Sequence, residues 1–342
     1  MDLAARTALV KKLALEAGFH RVGIARAHSR PADLARLQTW LDGGLHADMA
    51  WMARDPARRS DPALVVPGAQ SVIMLALDYD SDGPRSLDPG AVPAGHGWIS
   101  RYAWGDDYHD VAERRLKALS RLVSEQLGPG LGEGFRGPGG GEGPFVARQD
   151  FRFYVDYGPL LERPWAQEAG LGWQGRHSLL VDPERGSYFF LAAVVTSVAL
   201  QPDAAQVDHC GSCRACVDAC PTDAINDDRG VDARRCISAL TIETKGALSP
   251  AQAALVGHHL FGCDICQEVC PFNRFSQPAA EPAFAPRPAM VAPALAGLLA
   301  LDQEEFSQRF RRSPLKRRRL AGVQDNAKAV LRNGGLGESE SA

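Results

Sequence analysis

Four cysteines and a proline are packed into the twelve residues CGSCRACVDACP, which begin at Cys210. Their C-x2-C-x2-C-x3-C-P spacing is the one with which bacterial ferredoxins hold 4Fe-4S clusters. In that arrangement the first three thiolates bind one cube and the fourth binds the neighbouring cube. The segment therefore predicts a centre for electron transfer that contains more than one cluster.

A second cysteine run departs from this pattern. The segment CDICQEVCP at 263–271 has the spacing C-x2-C-x3-C-P, and Leu260 stands where a full repeat would begin with cysteine. Cys236 is the one thiol outside the two runs, so it can complete the second set. We predict one cluster on Cys210, Cys213, Cys216 and Cys270, and a second cluster on Cys220, Cys236, Cys263 and Cys266.

The meaning of eight cysteines depends on the compartment. The first residues, MDLAARTALVKKLALEAGFH, read as an amphipathic helix without the apolar core or cleavage site of a secretory signal. The longest apolar run, Tyr188–Leu200, is shorter than the roughly 20 residues that span a bilayer. We therefore expect a cytoplasmic protein that does not enter a membrane, in which reduced thiols serve metal or redox chemistry rather than disulfides.

Two all-cysteine zinc sites are the alternative to iron-sulfur clusters, since zinc also uses C-x2-C pairs. Zinc does not require a tight triple of cysteines followed by Cys-Pro, and this favours the cubes. Crossed ligation would bring two cubes close enough to pass single electrons. The chain could then be a simple electron carrier, or it could hold a catalytic site in the 200 residues that precede the cysteines.

The upstream residues have the pattern of a packed α/β domain. Ser71–Tyr79, Phe151–Asp156 and Ser187–Leu200 are rich in β-branched and aromatic residues and predict strands. Asp110–Gly128 has the apolar periodicity of a helix that ends at glycine. The glycine-rich stretch 128–144 follows a helix and lacks a Gly-Lys-Ser/Thr ending, so it predicts a surface loop rather than a phosphate loop.

Two patches in this domain contain residues that could carry chemistry. Asp156 lies at the end of a predicted strand, where a carboxylate can cap a turn or act as an acid. Trp173 is surrounded in the sequence by Gly170, Gly172 and Gly175. These glycines indicate either close backbone packing against a flat group or a tight turn.

The second patch, Asp107–His109, begins like the Asp-x-His-x-x-Gly signature of some cobalt-binding corrinoid enzymes. Ala112 stands in place of the glycine, so the motif alone is weak. A histidine at the start of a helix is more often a cap or a packed residue than a ligand.

Taken together, three groups of residues resemble the epoxyqueuosine reductase family. They are YVD-x-GP-x-LER-x-x-A-x-x-AGLGW-x-G from Tyr154 onward, RYAWG-x-DYH ending at His109, and the unequal pair of cysteine runs. The resemblance covers most of the chain in the same order. It implies an oxidoreductase that converts epoxyqueuosine in tRNA to queuosine, the last step of queuosine biosynthesis, and a relation to reductive dehalogenases.

The resemblance also implies a fold, a cofactor and an acid. The fold is α+β, with a nitroreductase-like cobalamin-binding α/β domain at 1–200, a two-cluster ferredoxin-like domain at 201–280 and a short HEAT-like helical tail at 281–342. The family holds base-off cobalamin without a histidine beneath the cobalt, and its catalytic acid falls on Asp156. The predicted cofactor contacts are Tyr108, His109, Gly172, Trp173 and Gly175.

A tRNA partner requires a local basic surface, because the whole chain has a net charge of −3. The segment RFRRSPLKRRR at 309–319 contains seven basic residues in eleven, although a solvated helix face would look the same. Its predicted phosphate contacts are Arg311, Arg312, Lys316, Arg317, Arg318 and Arg319.

With the tRNA we expect a low-potential electron donor such as flavodoxin or ferredoxin, and a monomeric enzyme. An iron-sulfur electron carrier and a cobalamin-dependent dehalogenase of small molecules remain the alternative functions.

Overall fold

The computed structural model describes residues 1–127 and 151–336, so the predicted glycine-rich loop at 128–144 lies outside the described residues. The α-helices of the described part are α1 (Leu3–Glu16), α2 (Pro31–Asp42), α3 (Pro56–Ser60), α4 (Tyr108–Leu127), α5 (Glu162–Glu168), α6 (Ala215–Asp218), α7 (Ile237–Glu243), α8 (Pro250–Leu255), α9 (Ile265–Glu268), α10 (Leu295–Leu299), α11 (Gln303–Arg309) and α12 (Arg319–Asn333). The strands are β1 (Arg21–Arg26), β2 (Ser71–Asp78), β3 (Trp98–Ile99), β4 (Phe151–Tyr154), β5 (Trp173–Gln174), β6 (Leu180–Val181), β7 (Phe189–Thr196) and β8 (His259–Phe261).

The central sheet has the strand order β1-β2-β7-β4, and its neighbours are all antiparallel. The three strands predicted from composition are all members of this sheet. Every residue of β2 is buried, because helices cover both faces of the sheet. This two-sided burial explains why its sequence is a continuous apolar run rather than an alternating one.

Helices α1 and α4 pack on one face of the sheet. Val10 and Leu13 of α1 meet Leu116 and Leu119 of α4 in the same apolar core. Helix α5 covers the opposite face, where Trp165 is fully buried. Since α4 and α5 begin beside the end of β4, the residues at their first turns are brought to the same edge of the sheet.

The C-terminal helices form a third core with the segment before α4 and with β8. Strand β3 pairs in parallel with β8, and Trp98 and Phe261 pack in one cluster with Val323 of α12. The buried carboxylate of Asp264 accepts hydrogen bonds from the Trp98 indole, the Ser100 hydroxyl and the Arg101 backbone N–H. The cysteine-bearing segment is therefore fixed directly to residues 98–101.

This arrangement is an α+β fold, as predicted, because an antiparallel sheet carries helices on its faces. In residues 1–127 and 151–336, every helix is too short or too polar to cross a membrane.

Candidate iron-sulfur centre and active site

The cysteines fall into two groups in space. Burial, with smaller contributions from the nearby Cys270, Cys210 and Cys213 thiols, raises the pKa of the Cys216 thiol to about 11. Burial also raises the pKa of Cys270, and the same Cys210 and Cys213 thiols contribute. These four thiols are therefore neighbours, although Cys270 lies far from the other three in the sequence.

The second group is built from the remaining cysteines. Burial raises the pKa of Cys266, with further contributions from Cys236, then from Cys216 of the first group, then from Cys220. Cys263 has the same main cause, and Cys266 and Cys236 add to it. In the described part of the chain, no three His, Cys, Asp or Glu side chains come close enough together to bind a single metal ion. The division of the eight thiols between two clusters stays a prediction.

Short helices bring the two runs together. Helix α6 lies within the first run, α9 lies within the second, and the two helices pack against each other. Cys213 is exposed, Cys216 is buried, and the four thiols of the second group are partly exposed. The exposed thiol therefore belongs to the first group.

Trp173 lies behind the first group of cysteines rather than in an open site. Its indole N–H donates to the Cys210 sulfur at 3.3 Å, and the ring is fully buried. A Cβ at Gly172 would approach the Val181 carbonyl oxygen to 2.3 Å, so this glycine is required by the β5–β6 hairpin itself. Gly175 follows β5 in the same hairpin. The close backbone packing predicted around Trp173 is against this chain's own residues.

Asp156 occupies a strained turn immediately after β4. Its φ is +62°, a left-handed conformation that non-glycine residues rarely adopt and that clusters at functional sites. Its backbone N–H donates to Glu162 Oε1 at 3.0 Å, and its carboxylate accepts from the Tyr108 hydroxyl at 2.7 Å. The turn therefore directs the carboxylate towards the start of α4.

Arg163 is close to both Asp156 and the second cysteine group, and we call the region that these three border the cleft. Burial lowers the pKa of the Arg163 guanidinium. The charges of Asp156 and Glu162 act on Arg163, and so do the thiols of Cys266 and Cys236. Arg163 therefore lies between the carboxylate and the inner cysteines.

Two groups that hold protons flank Asp156. Burial and, next, the Asp156 charge together raise the pKa of Glu162 to about 8. Burial likewise raises the pKa of Tyr108, again with a contribution from Asp156. Both groups are consequently protonated at neutral pH. Glu162 and Arg163 were missed by the sequence interpretation, although both belong to the LER part of the motif that follows Asp156.

His109 is held to one side of this cleft. Its Nδ1 lies 2.8 Å from Asp107 Oδ1, and its ring is stacked with Tyr108 and Tyr157 at centroid distances of 4.1 and 5.8 Å. Tyr108 in turn stacks on Phe190 of β7. The aromatic ladder connects the sheet to the surface and fixes the position of the Tyr108 hydroxyl.

The basic run reaches the same cleft. Arg317 makes a bidentate ion pair with Glu243, at 2.7 and 2.8 Å, and it is close enough to Asp156 for that carboxylate to raise its pKa. The structure leaves five predicted phosphate contacts exposed: Arg311, Arg312, Lys316, Arg317 and Arg319.

Arg318 is a correction to the predicted surface. It is only 7% exposed, and its guanidinium donates to the backbone carbonyls of Thr244 and Gly246. Pro314–Arg318 forms a 3₁₀ turn, in which residues three apart share a face. Arg318 therefore points inward with the buried Leu315 and is not available to a phosphate.

Comparison with known proteins agrees with both parts of the site. Residues 209–273 match the family model described as "4Fe-4S double cluster binding domain", and 59–136 match "Epoxyqueuosine reductase QueG, DUF1730". The chain is 39% identical to the epoxyqueuosine reductase of Cyclobacterium marinum, over 94% of this chain and 95% of the relative. It is 38% identical to the Escherichia coli enzyme, over 93% of this chain and 78% of the relative.

Solved structures of epoxyqueuosine reductases are also similar to this chain. An epoxyqueuosine reductase crystallised with an epoxyqueuosine-modified tRNA-Tyr stem loop has a TM-score of 0.80 at 31% identity, over 95% of this chain and 80% of that one. The enzyme from Streptococcus thermophilus has a TM-score of 0.78 at 27% identity, over 95% of this chain and 80% of that one.

The fold, the two thiol groups and the double-cluster match define an iron-sulfur oxidoreductase. This excludes the zinc alternative for the cysteine runs. Within that class, the chain belongs to the epoxyqueuosine reductase family.

Proposed function

We propose that this chain removes the epoxide oxygen of epoxyqueuosine in tRNA to give queuosine, with cobalamin in the cleft and two 4Fe-4S clusters as the source of electrons. One observation supports the proposal most directly: Arg163 is close to both Asp156 and the inner cysteines. We infer that an acid and an electron source lie near one another. A simple electron carrier has no use for such an acid.

Arg163 and Tyr108 would contact the cofactor, because the Tyr108 hydroxyl donates to Asp156 and Arg163 is close to both Asp156 and the inner cysteines. His109 is engaged by Asp107, which supports cobalamin bound without a histidine ligand. When bound, cobalamin supplies a low-valent cobalt that can give electrons to a strained ring. The predicted contacts at Gly172, Trp173 and Gly175 lie on the hairpin behind Cys210 and are not included in this proposed site.

Asp156 is the residue that we propose as the acid. An epoxide oxygen leaves poorly as an alkoxide, so a positioned acid accelerates its departure by about 10²–10⁴-fold. The Tyr108 hydroxyl and the Glu162 carboxyl hold the Asp156 turn from two sides. These contacts orient the carboxyl before the substrate arrives.

We propose the order in which electrons pass through the two clusters from the exposure of Cys213. The outer cluster would lie on Cys210, Cys213, Cys216 and Cys270, where exposed Cys213 gives a donor such as flavodoxin or ferredoxin access. The inner cluster would lie on Cys220, Cys236, Cys263 and Cys266, beside Arg163. We propose the divisions 1–200, 201–280 and 281–342 for the catalytic, cluster and tail parts of a monomer.

The tRNA surface is proposed from the exposed basic residues beside the cleft. The relative crystallised with a tRNA stem loop has the same fold. In this chain, Arg317 lies near Asp156 and Tyr108, so phosphates bound along the basic run would bring the modified base to the cleft. A modified base near the anticodon would have to turn out of its loop to enter.

Removing charge from this surface should weaken tRNA binding without loss of clusters. We expect the triple variant Arg311→Gln, Lys316→Gln and Arg319→Gln to flatten the dependence of log affinity on log salt by about two, since each lost phosphate contact contributes about 0.7–0.9. Fluorescence anisotropy over a salt series measures the slope.

The matched control is Lys12→Gln with Arg121→Gln. Arg121 is thirteen residues along α4 from Tyr108, which places it about 20 Å away. Equal slopes for the triple variant and the parent would move tRNA binding to another surface.

The function is tested by incubating anaerobic, chemically reduced protein, loaded with cobalamin, with tRNA that contains epoxyqueuosine. We expect queuosine in the digested nucleosides by mass spectrometry. Unchanged epoxyqueuosine from protein with full cluster and cobalamin content would reject the proposal.

A further inference from the structure

The indole N–H of Trp173 reaches a sulfur of the first cysteine run. Trp173 opens β5 and its ring is fully buried, so its N–H needs a hydrogen-bond partner inside the protein. That partner is the Cys210 sulfur, at 3.3 Å. A side chain of the β5–β6 hairpin is therefore bonded to a thiol of the double-cluster segment at 209–273.

Two aromatic rings from the cysteine runs hold the indole in this position. His209 directly precedes Cys210, and Phe272 follows Cys270 by two residues. Both rings pack edge-on against Trp173, at centroid distances of 4.9 and 4.8 Å. The indole therefore lies where the segments that carry Cys210 and Cys270 meet, and these two thiols belong to the same predicted ligand set.

The hairpin and the cysteine loop are also joined by polar contacts. The Arg176 guanidinium donates to the Gly211 carbonyl at 2.8 Å. The Asp208 carboxylate accepts the Cys210 backbone N–H at 2.8 Å and pairs with Arg229. The negative charge beside Cys210 is thus compensated by an arginine, and the hydrogen bond from the indole joins two segments that are fixed relative to each other.

We propose that Trp173 raises the reduction potential of the outer cluster through its N–H···S hydrogen bond to Cys210. This inference rests on the proposed function, in which Cys210 binds the outer cluster. Reduction adds one electron from the external donor to the cube and its four thiolates, and no covalent bond forms or breaks. A hydrogen bond is stronger to a more negative acceptor. The N–H therefore stabilises the reduced cluster more than the oxidised one.

The side-chain origin of this donor distinguishes it from a backbone contact. The Ala224 backbone N–H donates to the Cys220 sulfur at 3.4 Å, and every residue type except proline would keep such a bond. The Trp173 N–H is present only with tryptophan. The hairpin can thus set the potential of the outer cluster separately from that of the inner cluster, and in the proposed order the outer cluster is the first to receive electrons.

Trp173→Phe removes the N–H and keeps an aromatic ring to pack against His209 and Phe272. The test is an anaerobic redox titration of the full chain with both clusters, followed by electron paramagnetic resonance. We expect the equilibrium constant for reduction of the outer cluster to fall about tenfold, a shift of about 59 mV to lower potential for one electron. The inner cluster should keep the parent's potential. Cys213→Ala, which should retain the inner cluster alone, identifies its signal.

The matched control is Trp165→Phe. Trp165 is as completely buried as Trp173, but its indole N–H has no hydrogen-bond partner within residues 1–127 and 151–336. The same substitution therefore removes the same buried volume without removing a hydrogen bond to sulfur. Both clusters should keep the parent's potentials in this variant.

An outer-cluster potential in Trp173→Phe equal to the parent's would overturn the inference, and so would an equal shift in Trp165→Phe. If Trp173→Phe does not fold or loses the outer cluster, the parent labelled with nitrogen-15 at its indole nitrogens decides. Pulsed resonance should then detect that nitrogen in the outer-cluster signal, and its lack overturns the inference. The potentials are measured without tRNA or cobalamin, so a parent with both clusters that forms no queuosine rejects the proposed function alone.

Discussion

Asp156→Asn is expected to lower the single-turnover rate of epoxyqueuosine reduction by about 10²–10⁴-fold. Asparagine tolerates the left-handed backbone that this position requires, with its φ of +62°, and it can still accept from the Tyr108 hydroxyl. It lacks the acidic proton that the departing oxygen needs. Excess enzyme, reduced chemically before tRNA is added, ensures that slow electron supply does not mask the effect.

Asp110→Asn is the matched control. Asp110 is exposed in the first turn of α4, two residues from Tyr108, and it should be replaceable with little loss of rate. Cluster content, cobalamin content and the unfolding midpoint should be similar in both variants. An Asp156→Asn enzyme that turns over at nearly the parent rate would make Asp156 a structural turn residue and remove it from the mechanism.

Cys236→Ala is expected to halve the iron and acid-labile sulfide of the protein, from about eight of each to about four, because each cube contains four. Cys236 stands outside both cysteine runs, but its thiol lies beside Cys266 and Cys220. Its loss should remove the inner cluster and disconnect the cleft from the electron supply. Chemical analysis of iron and sulfide, with electron paramagnetic resonance of the reduced protein, measures the result.

Cys213→Ala provides the complementary variant. It should remove the outer cluster and leave the inner one, so the two variants should retain different resonance signals. Two complete cubes in Cys236→Ala would show that the ligand sets are assigned incorrectly.

The double-cluster domain could be predicted from the sequence because each cysteine run has a characteristic local spacing. The long antiparallel strands and α4 were also predictable, since burial on both faces and helical periodicity leave strong patterns. The contacts of Trp173 could not be predicted from the sequence. Its contact with the Cys210 sulfur joins residues of a hairpin and a distant loop, and its neighbouring glycines meet backbone that only the folded hairpin places there.

The hydrogen-bond partners of Asp156 also could not be predicted, because they depend on the folded backbone. Its hydrogen bond to Glu162 depends on a left-handed turn without glycine, which the residue types do not signal. Arg317 and Arg318 are adjacent in a uniform basic run, yet a 3₁₀ turn directs one to the cleft and the other to buried carbonyls. A charge run has no periodicity from which that difference could be read.

The most direct measurement is queuosine formed per enzyme in a single turnover, with and without cobalamin, by protein that contains both clusters in the reduced state. The account predicts conversion of epoxyqueuosine in tRNA only by the cobalamin-loaded protein, with a yield that rises with cobalt content. Equal conversion by cobalamin-free protein, or no conversion by fully loaded protein, would contradict it.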